Sequence, residues 1–223
     1  MSKLVIVTCT RAKTDKEFEQ RPIFHSFKKQ YELNSNVEPY IFKDNTKGLS
    51  QCYNEILRDP KNKDKTALFV HDDVVLEDVF LYEKLINSPY SITGLAGAKT
   101  FDKTPNKLAW HLCSQKQDYV GEVAHSQNGN VWTTVFGPTR SRALIIDGLF
   151  ISCKVSDLLD KGLEFDEAFG FHFYDIAFCL RANEKRVSCG VLPIRVIHYG
   201  LGDSMLTPQW EQANMEFRNT YCK

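Results

Sequence analysis

Residues 1–98 alternate between short apolar runs and segments with helical spacing. Leu4 to Cys9 is a compact β-branched run and predicts a buried first strand. Phe18 to Gln30 is mixed and suits a helix. Pro39-Tyr40-Ile41-Phe42 reads as a short second strand, and the turn-rich Asp44-Asn45-Thr46-Lys47-Gly48 follows it. From Leu49 to Arg58, Leu49, Tyr53, Ile56 and Leu57 share one helical face, and Asp59-Pro60 ends that helix. Ala67 to Leu76 then carries an apolar run into His71-Asp72-Asp73, with three apolar residues beyond. It predicts a buried strand that delivers two adjacent carboxylates where it ends. A helix near Glu77 to Asn87 and a strand from Ser91 to Ala98 complete this half.

Alternating strands and helices predict an α/β protein with a parallel sheet and right-handed crossovers. Ligands of such sheets bind at the carboxyl ends of the strands. Asn45, Gly48, Asp72 and Asp73 are therefore expected on one edge.

The pattern changes between Lys99 and Arg142, where helical spacing fades. Val120 to His125 and Val131 to Phe136 flank a central Asn128-Gly129, a strong hairpin signal. This segment reads as a β-rich insertion. Ala143 to Ser152 predicts a core strand with Asp147-Gly148 in its middle, where glycine suggests a bulge or a close approach by ligand. Val155 to Lys161 predicts a helix with Gly162 just past its end. A further helix runs to Asn183 with Asp175 in its first turn, where the helix dipole favours a carboxylate. Val187 to Cys189 and Ile194 to His198 are late strands, closed by a glycine-rich turn, Tyr199-Gly200-Leu201-Gly202. Thr207 as N-cap and Pro208 at the first helical position open a final helix reaching about Tyr221.

Composition narrows the setting. The chain has 223 residues, 43% hydrophobic and 25% charged, with a formal net charge of zero. That balance is ordinary for a globular protein and supplies no global field for nucleic acid or anionic lipid. No apolar run approaches a membrane span, and residues 1–7 do not form a signal peptide, so a cytoplasmic location is expected. The seven cysteines are scattered, without a C-x-x-C pair, which argues for reduced thiols.

The candidate chemistry lies in acids and histidines. Side-by-side carboxylates such as Asp72 and Asp73 repel each other unless a cation or water intervenes. Hard divalent cations prefer such oxygen ligands. The same pair also fits a loop opening or a helix cap. Asp175 fits a cap as well as an active carboxylate. His172 and His198 fit hydrogen-bonded structural roles as well as ligation.

The order of these residues resembles the GT-A glycosyltransferases, specifically their inverting, family-2-like group. Leu4 to Cys9 resembles the nucleotide-binding first strand, and Asn45 to Asn54 the Asn-x-x-Gly segment with its later Asn. His71-Asp72-Asp73 stands in the place of the Asp-x-Asp motif, and Asp147-Gly148-Leu149-Phe150 in that of the strand opening the acceptor side. Phe165-Asp166-Glu167 with Tyr174-Asp175 and Arg181 resembles the catalytic-helix block, and His198 the late histidine of the metal site. The likeness runs from Leu4 to about Gly202 and fades across Lys99 to Arg142. Two departures stand out. His-Asp-Asp replaces Asp-x-Asp, and Tyr174 sits where the family often has Glu. The Gln-x-x-Arg-Trp motif of processive synthases is missing from the sequence.

The resemblance implies one GT-A (Rossmann-like) domain over residues 1–223: a mixed, mainly parallel sheet flanked by helices, with the β-rich insertion. Residues 1–98 would bind the nucleotide-sugar, 99–142 form the insertion, and 143–223 supply the acceptor and catalytic half. It implies transfer of a sugar from a nucleoside-diphosphate sugar, a UDP-sugar first among them, to an acceptor hydroxyl with inversion. Asp73 and His198 would hold Mn²⁺ or Mg²⁺, and Asp175 would take the hydroxyl proton. Thr8, Thr10, Arg11, Asn45, Gly48 and Asp72 would meet the nucleotide. His172, Asp147 and Trp110 would serve the acceptor or support the metal. The acceptor is expected to be a saccharide or glycolipid, with a modified nucleic-acid base as another possibility raised by the lysines and arginines of the insertion. The rival reading is a metal-dependent phosphoesterase or hydrolase built from the same Asp and His residues.

Overall fold

The computed structural model describes residues 2–200 and 207–223. The chain opens with β1 (Leu4–Cys9), α1 (Asp15–Phe18), α2 (Pro22–Leu33), β2 (Val37–Phe42), α3 (Leu49–Arg58) and β3 (Thr66–Val70). Then come β4 (Val74–Leu76), α4 (Leu81–Ile86), β5 (Ile92–Gly94), β6 (Ala96–Ala98), β7 (Tyr119–Gln127) and β8 (Asn130–Val135). The last part holds β9 (Ser141–Arg142), β10 (Ile145–Ile146), β11 (Phe150–Lys154), α5 (Val155–Leu159), α6 (Tyr174–Glu184), β12 (Cys189–Val191), β13 (Val196–His198) and α7 (Pro208–Tyr221).

Two mixed sheets result. The larger runs β2-β1-β3-β11-β5-β12-β9, and the smaller β10-β6-β7-β13-β4 with β8 added beside β7. β2, β1 and β3 are parallel because α2 and α3 carry the chain back between them. β11 lies antiparallel to β3 and β5, since it enters from β10 without a crossover helix. α3 packs on β1, and α6 on β10 and β12. The helices are held by aromatic contacts: Tyr53 of α3 stacks on Phe69 of β3 at 4.3 Å, and Phe178 of α6 on Phe165 at 3.9 Å. These rings are fully buried, each contributing on the order of 1.5–3 kcal/mol through its burial.

Several predicted elements are divided. The run from Ser91 to Ala98 is two strands, β5 in the large sheet and β6 in the small one. Ala143 to Ser152 divides likewise into β10 and β11, separated at Asp147-Gly148-Leu149. The stretch Ala67 to Leu76 does the same, with β3 in the large sheet, β4 in the small one and His71-Asp72-Asp73 between them. All three runs step from one sheet to the other, and the candidate acids of two of them lie at the step. Backbone bonds tie the steps together: His71 N donates to Leu149 O (3.2 Å) and Asp147 N to Ala96 O (2.9 Å).

Helix starts also move. The helix expected from Glu77 begins at Leu81, because Asp78 is buried and its carboxylate accepts from Phe80 N and Arg195 N while pairing with Lys84. The helix ending near Asn183 begins only at Tyr174. The segment before it is pinned as a loop by Asn54, whose amide bonds both the N–H and the carbonyl of Phe165. The Leu201-Gly202 half of the glycine-rich turn lies outside the described residues. The hairpin turns at Asn128-Gly129, both with positive φ, and Thr207 caps α7 through Trp210 N.

Candidate active site

A cavity of about 640 Å³ opens where the sheet steps meet the start of α6. Asp73, Asp147, Asp175, His71, His172 and His198 all line it, as does Trp110. The predicted metal, catalytic and acceptor-side residues are thus brought to one place from segments a hundred residues apart.

Asp73 and His198 face each other across the pairing of β4 with β13. His198 Nε2 is 3.3 Å from Asp73 Oδ2. Burial alone would raise the Asp73 pKa. Its polar contacts, that with His198 first, outweigh it and hold Asp73 below the ordinary carboxylate value. The other oxygen, Oδ1, is buried and has no hydrogen-bond partner among the described residues. An anionic oxygen left in that condition is costly. A Cβ added at Gly200 would come within 2.5 Å of both Asp73 Oδ2 and His198 Nε2, so the pair depends on glycine there.

Asp175 sits in the first turn of α6. Its Oδ2 accepts from Gly148 N (2.9 Å) and its Oδ1 from Ile176 N (2.9 Å). Burial and the neighbouring Asp147 nonetheless push its pKa from 3.8 up to about 7. Asp147 is itself held: Oδ2 accepts from Trp110 Nε1 at 2.6 Å and Oδ1 from Leu149 N at 2.8 Å. Trp110 is buried, so its indole orients a carboxylate and offers no open face.

Tyr174 occupies the position expected for a Glu. Its hydroxyl donates to Gly148 O (2.8 Å) and lies 3.0 Å from His71 Nε2. A carbonyl can only accept, and a phenol carries one proton. His71 Nε2 must therefore donate, which fixes a neutral His71 as the Nε2–H tautomer with its Nδ1 as an acceptor. Burial also lowers the His71 pKa and favours that neutral form. A side chain at Gly148 would collide with Tyr174 and Asp175, so the glycine in the middle of the predicted strand serves close packing at the site. Just before Tyr174, Phe173 adopts φ +64°, a left-handed conformation rare for a bulky residue. Trp210 and Phe217 of α7 hold its ring, at 5.4 and 5.2 Å.

The residues expected to meet the nucleotide gather differently. Thr10 Oγ1 donates to Asp72 Oδ2 at 2.6 Å, and Arg21 Nε lies 3.5 Å from the same oxygen. Asn45 N donates to Thr10 O, while the Asn45 side chain closes a turn with Lys47. Thr10, Asp72 and Asn45 thus form one cluster at the ends of β1 and β3, beside the cavity lining, and Arg11 is exposed next to it. Thr8 is a correction. It is fully buried and its hydroxyl donates to Val70 O, so it joins β1 to β3 and cannot reach a ligand. Gly48 packs backbone to backbone on Gly170, with Leu49 N donating to Gly170 O at 2.6 Å, which makes it a close-packing position. His71, Tyr174 and His125 complete the cavity beyond the predicted set. His71 in place of the first Asp of Asp-x-Asp and Tyr174 in place of Glu are the sequence signals for two of these three.

The model of a family described as glycosyltransferase like matches residues 13–219. No curated protein matches the chain. Among solved structures, the chain is similar to A197 from STIV, at 12% identity and TM-score 0.45, covering 88% of this chain and 82% of that one. It is also similar to TarS 1–349 of S. aureus, at 11% identity and TM-score 0.47, covering 88% of this chain and 60% of that one.

Proposed function

The chain belongs to the glycosyltransferase-like family and has its GT-A fold, and from that premise we propose that it moves a sugar from a nucleoside-diphosphate sugar to an acceptor hydroxyl. The observation that carries the reading is Asp175. It is a partly buried carboxylate with a pKa raised to about 7, in the same cavity as the Asp73–His198 pair. A base of that strength is matched to removing a proton near neutral pH. Asp175 accepts the proton of the acceptor hydroxyl as the oxygen attacks the anomeric carbon. Attack opposite the leaving diphosphate inverts that centre. Asp147, fixed by Trp110, keeps Asp175 basic. Thr10, Asp72 and Asn45 hold the nucleotide beside the cavity. Family membership favours this over the phosphoesterase reading.

The donor set is suited to a divalent cation. Asp73 supplies a buried oxygen without a partner, and His198 a nitrogen beside it. Among the described residues no group of three or more such side chains is spaced to hold a metal ion by itself. Asp73 and His198 would hold Mn²⁺ or Mg²⁺ with positions left for diphosphate oxygens and water, as is usual for Mg²⁺. The ion would offset charge developing on the diphosphate. Residues 1–98 form the donor half on this reading, 143–223 the catalytic half, and 99–142 border the acceptor.

A thermal-shift panel of nucleoside diphosphates with and without Mn²⁺ tests the donor site. One nucleotide is expected to stabilise the protein in a metal-dependent way, by about 2.7 kcal/mol at a hundredfold excess over Kd. The matching sugar nucleotide should then release nucleoside diphosphate slowly without acceptor. A panel in which no nucleotide shifts the transition refutes the donor site.

A further inference from the structure

Trp132, His125 and His198 stand directly opposite one another on three neighbouring strands. His125 of β7 is paired with Trp132 of β8 on one side and with His198 of β13 on the other. The rings follow the register. Trp132 stacks on His125 at 5.7 Å and 27°, and His125 is 5.7 Å from His198. This row leads from the Asp73–His198 pair to the rim of the cavity, whose wall includes His125 and Phe136 on the same face of the hairpin. Strands lie ~4.8 Å apart, so Trp132 is roughly 10 Å from His198 across the sheet. It lies away from the Thr10–Asp72–Asn45 cluster, on the far side of Asp73.

Of the three tryptophans, Trp110 and Trp210 are buried at 7% and 4% exposure, whereas Trp132 keeps 45% of its surface open. One indole face is covered by His125. The open apolar surface adjoins side chains that are polar and neutral, Thr134 and Asn130 on its own strand and face and Gln127 on the neighbouring strand. The hairpin from Tyr119 to Val135 contains no Lys or Arg. A nucleic acid needs cations along its backbone. A neutral sugar ring does not. It offers a C–H face to the electron-rich indole and hydroxyls to neutral hydrogen-bonding groups.

We infer that Trp132 is the stacking platform for a neutral sugar ring of the acceptor, at the rim of the cavity beyond His125. The inference rests on the transferase reading above and gives its acceptor a chemical class, a saccharide in place of a nucleic-acid base.

The test is a titration of the whole chain followed through its indole N–H signals by NMR. The probes are maltose, cellobiose and N,N′-diacetylchitobiose, with oligothymidylate as the anionic comparison. At least one saccharide is expected to move the Trp132 signal and leave those of Trp110 and Trp210 in place. Trp132→Ala, checked for an intact thermal transition, should weaken the Kd for that saccharide at least tenfold, and Trp132→Phe less. Val131→Thr, on the opposite face of the strand, should titrate as the parent does. If no saccharide moves Trp132, or if Trp132→Ala binds as well as the parent, the platform is wrong. A Trp132 signal moved only by oligothymidylate overturns the saccharide class. Release of nucleoside diphosphate by the unaltered protein is scored separately. Its failure with every sugar nucleotide counts against the transferase reading, while the saccharide titration still decides the platform.

Discussion

A carboxylate that takes a proton near neutral pH must be less comfortable as an anion than it is in water. Asp175 is made so by burial and by Asp147, and the discomfort has a cost to the fold. Its folded pKa, about 7, exceeds the unfolded value of 3.8, so the unfolded chain gives up this proton first. The contribution to stability is fully present below about pH 4, is lost as pH rises toward 7, and stays lost above. Asp175→Asn should therefore raise the thermal midpoint at pH 8 more than at pH 4, while turnover falls at least a hundredfold and nucleotide binding persists. In the unaltered enzyme kcat should climb through pH 7, a limb missing from the variant. Loss of stability at pH 8 in Asp175→Asn would contradict the raised pKa. The sequence carried Asp73, Asp175 and His198 through their order along the chain. It could not carry Thr8. Both faces of β1 are buried, from Leu4 to Thr8, so strand alternation does not mark Thr8 as interior, and its hydroxyl type reads as a ligand contact.

At the scale of elements, apolar runs predicted where strands lie but not which sheet each joins. Ser91 to Ala98 is apolar or small across the step at Leu95, so no polar residue marks the change of sheet. The step at Asp147-Gly148 was visible as a glycine in a strand, but its cause, the approach of Tyr174 from a helix 26 residues away, was not. The same holds for Phe173. Nothing in a Phe announces φ +64°, because that conformation is imposed by α7. Phe217 is the centre of this brace, fully buried against Phe173, Phe169, Phe101 and Tyr221. Phe217→Ala should cost about 3–5 kcal/mol. Well below its lowered melting temperature it should still lose kcat, because Asp175 follows Phe173 by two residues. A variant that is less stable yet turns over normally when folded would separate α7 from the site.

Across the whole molecule, the cavity is assembled from segments around residues 71–73, 96, 108–111, 123–125, 136, 147–149, 171–176, 198–200 and 210. α7 joins two of these segments. Its aromatics hold Phe173, Asn214 bonds Leu108 N and Asn106 O, and Arg218 donates to the carbonyls of Lys103 and Pro105. Besides bracing the site, that helix also sets a timetable. The hairpin of β7 and β8 and the crossovers among β1, β2 and β3 close over modest sequence separations. The contacts of α7 with residues 103–108 span more than a hundred residues, and loop closure makes such contacts late and slow. Refolding from denaturant should regain helical circular dichroism before it regains nucleoside diphosphate release, with a lag that Phe217→Ala lengthens. Simultaneous recovery of both signals would mean the site forms with the sheets. On the transferase function proposed above, a chain emerging from the ribosome would, by the same order of events, hold the strands assigned to the nucleotide well before it could spend a sugar nucleotide on water.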